Sequence, residues 1–330
     1  MNRTAVVAIG GNALLQGGAS ATIAEQFDAA RSLASSLVEM IEAGWRIVVT
    51  HGNGPQVGFI KRRSDLVAEL APELPHLDLD MCVADSQGSL GYILASSLGS
   101  RLRERGVPDR VAALLTHTVV DAADPAFHQP TKPIGGFYPE DDARRLADVH
   151  HWTIAEDSGR GWRRLVPSPR PRRIVEQESI RMLADGGVLV VAAGGGGIPV
   201  VETPDGRYRG VEAVIDKDLT SAHLATKLGA DLLVITTGVA QVAVNFGRPD
   251  QQTLDRLSAA EARRHLADGQ FPPGSMGPKI EAALQFLDEG GRRVLITSPD
   301  ELVNALGGST GTWLLPSDIE APALLDSQGA

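Results

Sequence analysis

Lysine is scarce in this chain of 330 residues, which contains five lysines against 26 arginines. Where a plain positive charge suffices the sequence uses arginine, so a retained lysine indicates a position that arginine cannot fill. An ammonium group is a compact point charge, whereas a guanidinium group is a wide planar fork. The alternative is chance placement of a small number of residues. The lysines are Lys61, Lys132, Lys217, Lys227 and Lys279.

Other absences exclude whole classes of protein. The single cysteine, Cys82, cannot form an intrachain disulfide, which fits a reducing compartment. No apolar run approaches the roughly 20 residues that a membrane helix needs. The net charge of −10 argues against a broad surface for nucleic acid or anionic membrane. The short apolar run before Gly10 predicts a first strand rather than a secretory signal, so we expect a cytoplasmic protein.

Six short apolar runs are typical of strands buried on both faces of a parallel sheet. They are Ala5–Ile9, Arg46–Thr50, Val111–Val120, Val188–Ala193, Leu232–Thr236 and Val294–Thr297. Between them, apolar residues recur every three or four positions, which predicts helices. These segments are Ile23–Ile41, Leu90–Arg103, Ile180–Leu183, Leu219–Leu228 and Ile280–Leu287. The alternation predicts an α/β fold with a mostly parallel sheet and helices on both faces.

Residues 121–173 depart from this alternation, and we call them the lid segment. They contain seven prolines together with His150, His151, Trp152 and Trp162. A stretch so rich in proline predicts an irregular insertion rather than a sheet layer. Long insertions of this kind often serve as lids or binding elements. Lys132 lies on this segment.

Three predicted strands end in glycine turns, namely Gly10-Gly11-Asn12, Gly52-Asn53-Gly54 and Gly194–Gly197. Glycine lets backbone N–H groups approach an anion, and ligands bind at the carboxyl ends of strands in open parallel sheets. Each turn taken alone is equally consistent with a simple tight turn. Together they predict an anion-binding edge.

Familiar nucleotide and metal motifs are missing. The chain has no G-x-x-x-x-G-K-[ST] motif, and Ile198-Pro199 interrupts the dinucleotide pattern after the last glycine turn. A Rossmann-type dehydrogenase is therefore rejected. The eight histidines show no zinc spacing, and His51 is more readily a packed or turn histidine than a ligand.

The segment Asp216-Lys217-Asp218 precedes a predicted helix, and Lys279 follows a Gly/Pro-rich turn. Asp218 is either a helix N-cap or an acid that positions Lys217. Phosphoryl transfer requires mainly positioning and neutralisation of phosphate charge. Separate lysines and glycine-turn amides supply both, with Mg²⁺ bridging nucleotide oxygens.

Taken together, these segments resemble the carbamate kinases of the amino acid kinase superfamily. The Thr-Lys-Pro-Ile-Gly, Gly-Trp-Arg-Arg and Pro-Gly-Ser-Met-Gly-Pro-Lys blocks, in this order, are specific, whereas single glycine turns are weak evidence. The matching blocks run almost from end to end: Val7–Leu14, Thr50–Gly58, Ser86–Gly88, Asp124–Phe127, Pro130–Gly135, Gly161–Pro169, Ala193–Pro199, Val214–Leu219 and Phe271–Lys279.

The resemblance implies one domain over residues 1–330. Its expected fold is an open three-layer αβα sandwich with a mainly parallel eight-stranded sheet and a protruding lid subdomain at about residues 121–173. The half formed by about residues 1–187 would bind the carbamoyl group, and the half formed by about 188–330 the nucleotide. The family usually forms homodimers.

The resemblance also implies a reversible phosphoryl transfer between ATP and carbamate that gives ADP and carbamoyl phosphate. In the cell this reaction would run toward ATP, in the breakdown of arginine or related nitrogen compounds. Mg²⁺ would be carried by the nucleotide phosphates, without metal ligands from the protein.

The family's functional residues carry over motif by motif. Lys132 would contact the transferred group, Lys217 and Lys279 the nucleotide phosphates, and Asp218 would orient the lysines. Lys61 and Lys227 fall at surface or helix positions without a role. The residues expected to bind the carbamoyl side are Gly10, Gly11, Asn12, Gly52, Asn53 and Gly54. Those expected near the nucleoside are Met276 and Pro278.

Two positions differ from the family pattern, because Gly136 replaces a common Pro and Gly238 a usual Ala. Neither change removes a charge. Two other functions stay open: a kinase of the same superfamily that acts on another small carboxylate, and a non-catalytic ligand sensor. The Lys132 block argues against the first, and the joint presence of Lys132, Lys217, Asp218 and Lys279 argues against the second.

Overall fold

The computed structural model describes residues 3–14, 22–157, 159–272 and 274–316, without the side chains of Asn12 and Glu69. The strands are β1 (Arg3–Ile9), β2 (Trp45–His51), β3 (Val111–Ala113), β4 (His117–Val119), β5 (Lys132–Tyr138), β6 (Thr153–Glu156), β7 (Trp162–Val166), β8 (Arg173–Ile174), β9 (Leu189–Val191), β10 (Ile198–Glu202), β11 (Tyr208–Gly210), β12 (Leu232–Thr236), β13 (Val242–Val244), β14 (Gln252–Leu254), β15 (Arg256–Ser258), β16 (Val294–Thr297) and β17 (Thr312–Leu315). The helices are α1 (Ile23–Glu42), α2 (Gly54–Leu70), α3 (Leu79–Glu104), α4 (Glu140–His150), α5 (Gln177–Asp185), α6 (Lys217–Leu228), α7 (Ala259–Ala267), α8 (Met276–Asp288) and α9 (Leu302–Leu306).

Eight strands form the main sheet, in the order β15-β17-β16-β12-β1-β2-β9-β3. Neighbouring strands run parallel except for the pair β16 and β17. This confirms the expected mainly parallel eight-stranded sheet. Strands β12, β1, β2 and β9 are adjacent, so the segments that follow their carboxyl ends lie side by side.

Both faces of the main sheet are covered, which produces three layers. Along β1, Val6 and Ala8 enter the core on the face that carries α6 and α8. Ala5, Val7 and Ile9 enter the core on the face that carries α1 and α3. A strand buried on both faces needs apolar residues at every position, which explains the continuous apolar runs in the sequence. None of the helices in the described ranges is long and apolar enough to cross a membrane.

The prediction of one strand over Val111–Val120 was wrong. Strand β3 belongs to the main sheet, whereas β4 belongs to a separate four-stranded sheet in the order β11-β10-β4-β8. Between them, the side-chain amide of Gln87 binds both backbone groups of Thr116: Thr116 N donates to Oε1 at 2.8 Å, and Nε2 donates to the Thr116 carbonyl at 3.1 Å. The side chain of Gln87 on α3 thus takes the place of a neighbouring strand at Thr116. The apolar run in the sequence gives no sign of this contact.

The prediction of an irregular lid segment was also wrong, because the segment contains helix α4 and a three-stranded sheet in the order β5-β7-β6. Proline lacks a backbone N–H and is tolerated on edge strands. Pro133 lies on β5, which is an edge of this small sheet. The other prolines of the segment lie outside its strands and therefore do not disrupt them.

His51 ends β2 and is buried as a packed histidine, as the sequence predicted. Its Nδ1 lies 3.1 Å from the carbonyl oxygen of Gly52. A Cβ atom at Gly194 would lie 2.4 Å from Nε2, so the glycine turn after β9 covers the ring. Burial lowers the pKa of His51 to about 4, and the charge of Lys217 acts in the same direction. The imidazole is therefore neutral near pH 7.

We expect His51 to make the free energy of unfolding depend on pH. The unfolded imidazole gains a proton below pH 6.5, whereas the folded one does so only below about pH 4, so stability falls as the pH falls through this window. The contribution is roughly 3 kcal/mol. Urea unfolding of the wild type and His51→Gln between these pH values measures it. The variant should show a flatter dependence, and equal slopes would contradict the assignment.

Candidate functional site

The glycine turns after β1 and β2 touch each other at the carboxyl edge of the main sheet. A Cβ atom at Gly52 would lie 2.7 Å from the backbone nitrogen of Gly11, closer than two such atoms can approach. On the other side, Gly10 N donates a hydrogen bond of 3.2 Å to the hydroxyl of Thr236, at the end of β12. Only residues without side chains permit this spacing, so the turns form one continuous backbone surface.

The third glycine turn, after β9, packs against the second one. Gly195 has φ of 65°, a conformation that glycine adopts without strain. A Cβ atom there would lie 2.1 Å from Nδ2 of Asn53. Asn53 is buried, and its Nδ2 donates to the Ser86 hydroxyl at 2.7 Å. The side chain of Asn53 is thus fixed between α3 and the β9 turn.

A cavity of about 600 Å³ opens at this edge, and most of the predicted site residues line it. Met276 packs against the apolar core instead of lining the cavity. The backbone of Asn12 lies in a 3₁₀ turn, and its side chain lies outside the described residues. The predicted residues that line the cavity are Gly10, Gly11, Gly52, Asn53, Gly54, Lys132, Lys217, Asp218, Pro278 and Lys279.

Three lysines from three different elements converge on two aspartates in this cavity. Lys132, on β5 of the lid segment, forms an ion pair with Asp216. Lys217, at the start of α6, forms an ion pair with Asp218. Lys279, on α8, donates to the other oxygen of Asp218 at 3.2 Å. These five groups carry one net positive charge, which leaves the cluster able to attract an anion.

Asp216 is the N-cap of helix α6, so the alternative role for Asp218 as the cap was wrong. Oδ1 of Asp216 accepts hydrogen bonds from Asp218 N at 2.8 Å and from Leu219 N at 3.3 Å. Asp216 therefore satisfies the helix start, and Asp218 remains available to the lysines. The hydroxyl of Thr220 donates to the Gly196 carbonyl at 3.0 Å, which ties the first turn of α6 to the β9 turn.

The charged groups of the cluster are buried and shift one another's pKa values. Burial would raise the pKa of Asp218, but Lys217 and Lys279 hold it below its usual range. Burial would likewise raise the pKa of Asp216, and the charge of Lys132 overcomes it. Burial lowers the pKa of Lys217 despite Asp218, whereas Asp218 and Asp216 outweigh burial at Lys279 and raise its pKa. Both aspartates are thus ionised near neutral pH.

The sequence-based prediction left out five charged residues that line the cavity, namely Asp216, Arg163, Arg170, Glu281 and Asp300. Arg163 Nη2 donates to the Gly135 carbonyl at 3.0 Å, and Arg170 lies 3.8 Å from the carboxylate of Glu281 on α8. The positions of three of them gave a signal: Asp216 directly precedes Lys217, Arg163 lies in the Gly161–Pro169 block, and Arg170 follows that block directly.

The lysines without a predicted role divide into two cases. Lys227 is exposed on α6, in agreement with the prediction. Lys61 lies on helix α2, which is one of the two kinds of position expected, but it is buried, with only 5% exposed. The two glycines that differ from the family pattern, Gly136 and Gly238, lie where a side chain would fit. A Cβ atom at Gly136 would make an ordinary contact with Phe59, and one at Gly238 would meet nothing within 4 Å.

The donor set of the cavity is suited to a metal ion carried by phosphate rather than by the protein. The two central carboxylates, Asp216 and Asp218, are both engaged by lysines. Across the described ranges, no group of three or more His, Cys, Asp and Glu side chains could hold a metal ion. Lysines and backbone amides bind phosphate oxygens, and those oxygens are hard ligands of the kind that Mg²⁺ prefers.

Comparisons with known proteins identify the family of the chain. The model of the amino acid kinase family matches residues 3–298. Carbamate kinase-like protein YahI of Escherichia coli is 47% identical over 96% of this chain and 99% of its own length. Carbamate kinase of Pyrococcus furiosus is 45% identical over 96% of this chain and its full length.

A solved structure with the same fold is carbamate kinase from Giardia lamblia bound to AMP-PNP. Its TM-score is 0.85 at 39% identity, over 95% of this chain and 98% of that one. Identity at this level, over nearly the whole length of each protein, exceeds what a shared fold alone would give. The chain therefore belongs to the amino acid kinase family and, within it, to the carbamate kinases.

Proposed function

We propose that this protein catalyses the reversible, Mg²⁺-dependent transfer of a phosphoryl group between ATP and carbamate, which gives ADP and carbamoyl phosphate. The observation that carries the proposal is the convergence of Lys132, Lys217 and Lys279 on two aspartates beside the glycine turns. Relatives named carbamate kinase, aligned over nearly the whole chain, support the choice of substrate.

The chemistry explains why cations dominate this site. Carbamate is already an anion, so its oxygen can attack the terminal phosphate without a general base. The main obstacle is repulsion between two anions, which fixed cations and N–H donors relieve. His51 is neutral and lies beneath the glycine turn after β9, so it does not serve as a base. The site therefore works by positioning and charge neutralisation.

The two halves of the cavity suggest separate tasks. We assign the carbamoyl side to the backbone amides of the turns after β1 and β2, which include Gly11 and Gly54. We assign the nucleotide phosphates to Lys217 and Lys279, which lie at the N-terminal ends of α6 and α8. Helix N-termini favour negative charge, so both helices add to the attraction. Lys132, carried by the lid segment, would contact the transferred phosphoryl group.

The remaining assignments rest on the family relationship. Pro278 and Met276 would lie near the nucleoside, although Met276 would have to do so through its backbone. When bound to the nucleotide, Mg²⁺ neutralises charge on the phosphate oxygens. We further propose a cytoplasmic homodimer that runs the reaction toward ATP in the breakdown of arginine or related nitrogen compounds.

The proposed reaction predicts that the purified protein forms ATP from carbamoyl phosphate and ADP when Mg²⁺ is present. A coupled hexokinase assay measures the ATP, with spontaneous breakdown of carbamoyl phosphate as the background. Acetyl phosphate, which carries a methyl group in place of the amino group, serves as the comparison substrate and should react more slowly. The absence of ATP above background would contradict the proposal, and faster reaction with acetyl phosphate would favour a different carboxylate.

The site also predicts that arginine cannot replace the three convergent lysines. Lys→Arg at position 132, 217 or 279 conserves the charge but replaces a compact donor with a wide planar fork. Loss of one donor to the transition state should lower kcat/KM for ATP formation on the order of 10²-fold or more. Lys227→Arg, at an exposed position on α6, is the matched control and should behave like the wild type. Near-normal values in all three site variants would refute the shape requirement.

A further inference from the structure

Two sequence features have no part in the site described above, the buried Lys61 and Arg164 of the Gly-Trp-Arg-Arg block. The structure brings them together around Asp65 on α2, and we call Lys61, Asp65 and Arg164 the lid-base cluster. Lys61 Nζ lies 3.2 Å from Asp65 Oδ1, and Arg164 Nη1 lies 3.7 Å from Asp65 Oδ2. The cluster therefore joins helix α2 to strand β7 of the lid segment.

The cluster is largely buried, and Lys61 and Asp65 both have hydrogen-bond partners. Lys61 donates to the carbonyl of Leu77 at 2.8 Å, and Asp65 Oδ1 lies 2.9 Å from His76 Nε2. The side chain of Asp65 is only 9% exposed and that of Arg164 18%. Apolar residues at these positions would be easier to bury, because removing ions from water costs free energy even when they are paired.

Electrostatics make Asp65 the centre of this cluster. Burial would raise its pKa, but the hydrogen bond with His76 and the charges of Lys61 and Arg164 hold the pKa below its usual range. Burial lowers the pKa of Arg164, and Asp65 is the strongest of the groups that oppose this shift. The guanidinium also lies over the Trp152 ring, 5.1 Å from its centroid. Arg164 thus contacts Asp65 on α2 and Trp152 within the lid segment.

The ladder of the lid sheet connects Arg164 to the catalytic lysine. In the pairing of β5 with β7, Arg164 is opposite Ile134, Leu165 is opposite Pro133, and Val166 is opposite Lys132. A strand pair moves as a unit, because shifting one strand would break the hydrogen bonds of the ladder. Fixing Arg164 to α2 therefore fixes the position from which Lys132 reaches Asp216.

A second contact at the same junction requires close approach. A Cβ atom at Gly58 of α2 would lie 2.2 Å from the Cα of Gly135 on β5. Gly135 has φ of 74°, so both glycines allow the two backbones to touch. The lid sheet is thus held against α2 by backbone packing on β5 and by the ion cluster on β7.

We propose that Asp65 is a positioning residue for phosphoryl transfer, and that it acts through Arg164 and the β5–β7 ladder to place Lys132 over the cavity. The reaction itself rests on the proposed function, whereas the placement of Lys132 can be measured without it. Without the carboxylate, Lys61 and Arg164 would repel each other, and the lid segment would shift away from α2.

The test uses Asp65→Asn, which keeps the shape of the side chain and removes its charge. Limited acetylation of the ligand-free protein, read by tandem mass spectrometry, reports how accessible each lysine is. The rate at Lys132, relative to the exposed Lys227, should rise about threefold or more as the lid segment moves. In the ATP-forming assay, kcat should fall roughly 10- to 100-fold with KM for ADP within about twofold of the wild type.

Further variants separate positioning from simple destabilisation. Arg164→Met should reproduce both effects, and the double variant Asp65→Asn/Arg164→Met should fall no further than either single change. Gly58→Ala displaces β5 by a different route and should also raise acetylation of Lys132, which keeps the test open if Asp65→Asn does not fold. Asp28→Asn removes the partner of Arg31 in an exposed pair on α1 and is the neutral control.

The outcomes distinguish the inference from the proposed function. A lowered melting temperature with unchanged Lys132 acetylation and unchanged kcat would overturn the positioning role and leave Asp65 purely structural. Unchanged acetylation in both Arg164→Met and Gly58→Ala would overturn it equally. Failure of the wild type to form ATP would count against the proposed reaction alone, since acetylation is read on the ligand-free protein.

Discussion

The carboxylate of Asp218 is the interaction on which the site depends, because it binds Lys217 and Lys279 at the same time. Two lysines so close together would otherwise repel each other within a buried region. Breaking a buried pair leaves an uncompensated charge, which typically costs about 3–5 kcal/mol. By neutralising part of this charge, Asp218 allows two compact cations from α6 and α8 to face one cavity.

The rest of the architecture places this carboxylate where an anion can reach it. The order of β12, β1, β2 and β9 brings their following segments side by side, and glycine permits the turns to touch. Asp216 caps α6 and binds Lys132 of the lid segment, so the helix start also receives the third lysine. An ion pair between Asp65 and Arg164 joins α2 to the lid segment.

Much of the fold could be predicted from the sequence, because strands buried on both faces require continuous apolar runs. The run Leu232–Thr236 became strand β12 with the same bounds. Prediction failed where contacts between segments distant in sequence decided the structure. The amide of Gln87 separates β3 from β4, and Pro133 is tolerated because its strand is an edge.

The site residues, like the fold, could be predicted only where the local sequence was sufficient. The three cavity lysines could be selected from the sequence because lysine is rare in this arginine-rich chain and each of the three lies in a motif block. Asp216 was missed because a helix cap and an ion-pair partner have the same sequence signal. The burial of Lys61 could not be predicted, since it depends on Asp65 four residues along α2 and on Arg164 about a hundred residues away. If Asp218 holds Lys217 and Lys279 in place for phosphate, its removal must impair the reaction, so the decisive measurement is kcat/KM for ATP formation by Asp218→Asn. We expect a fall of about 100-fold or more with the fold intact by circular dichroism, whereas a value within about threefold of the wild type would show that the carboxylate is not required.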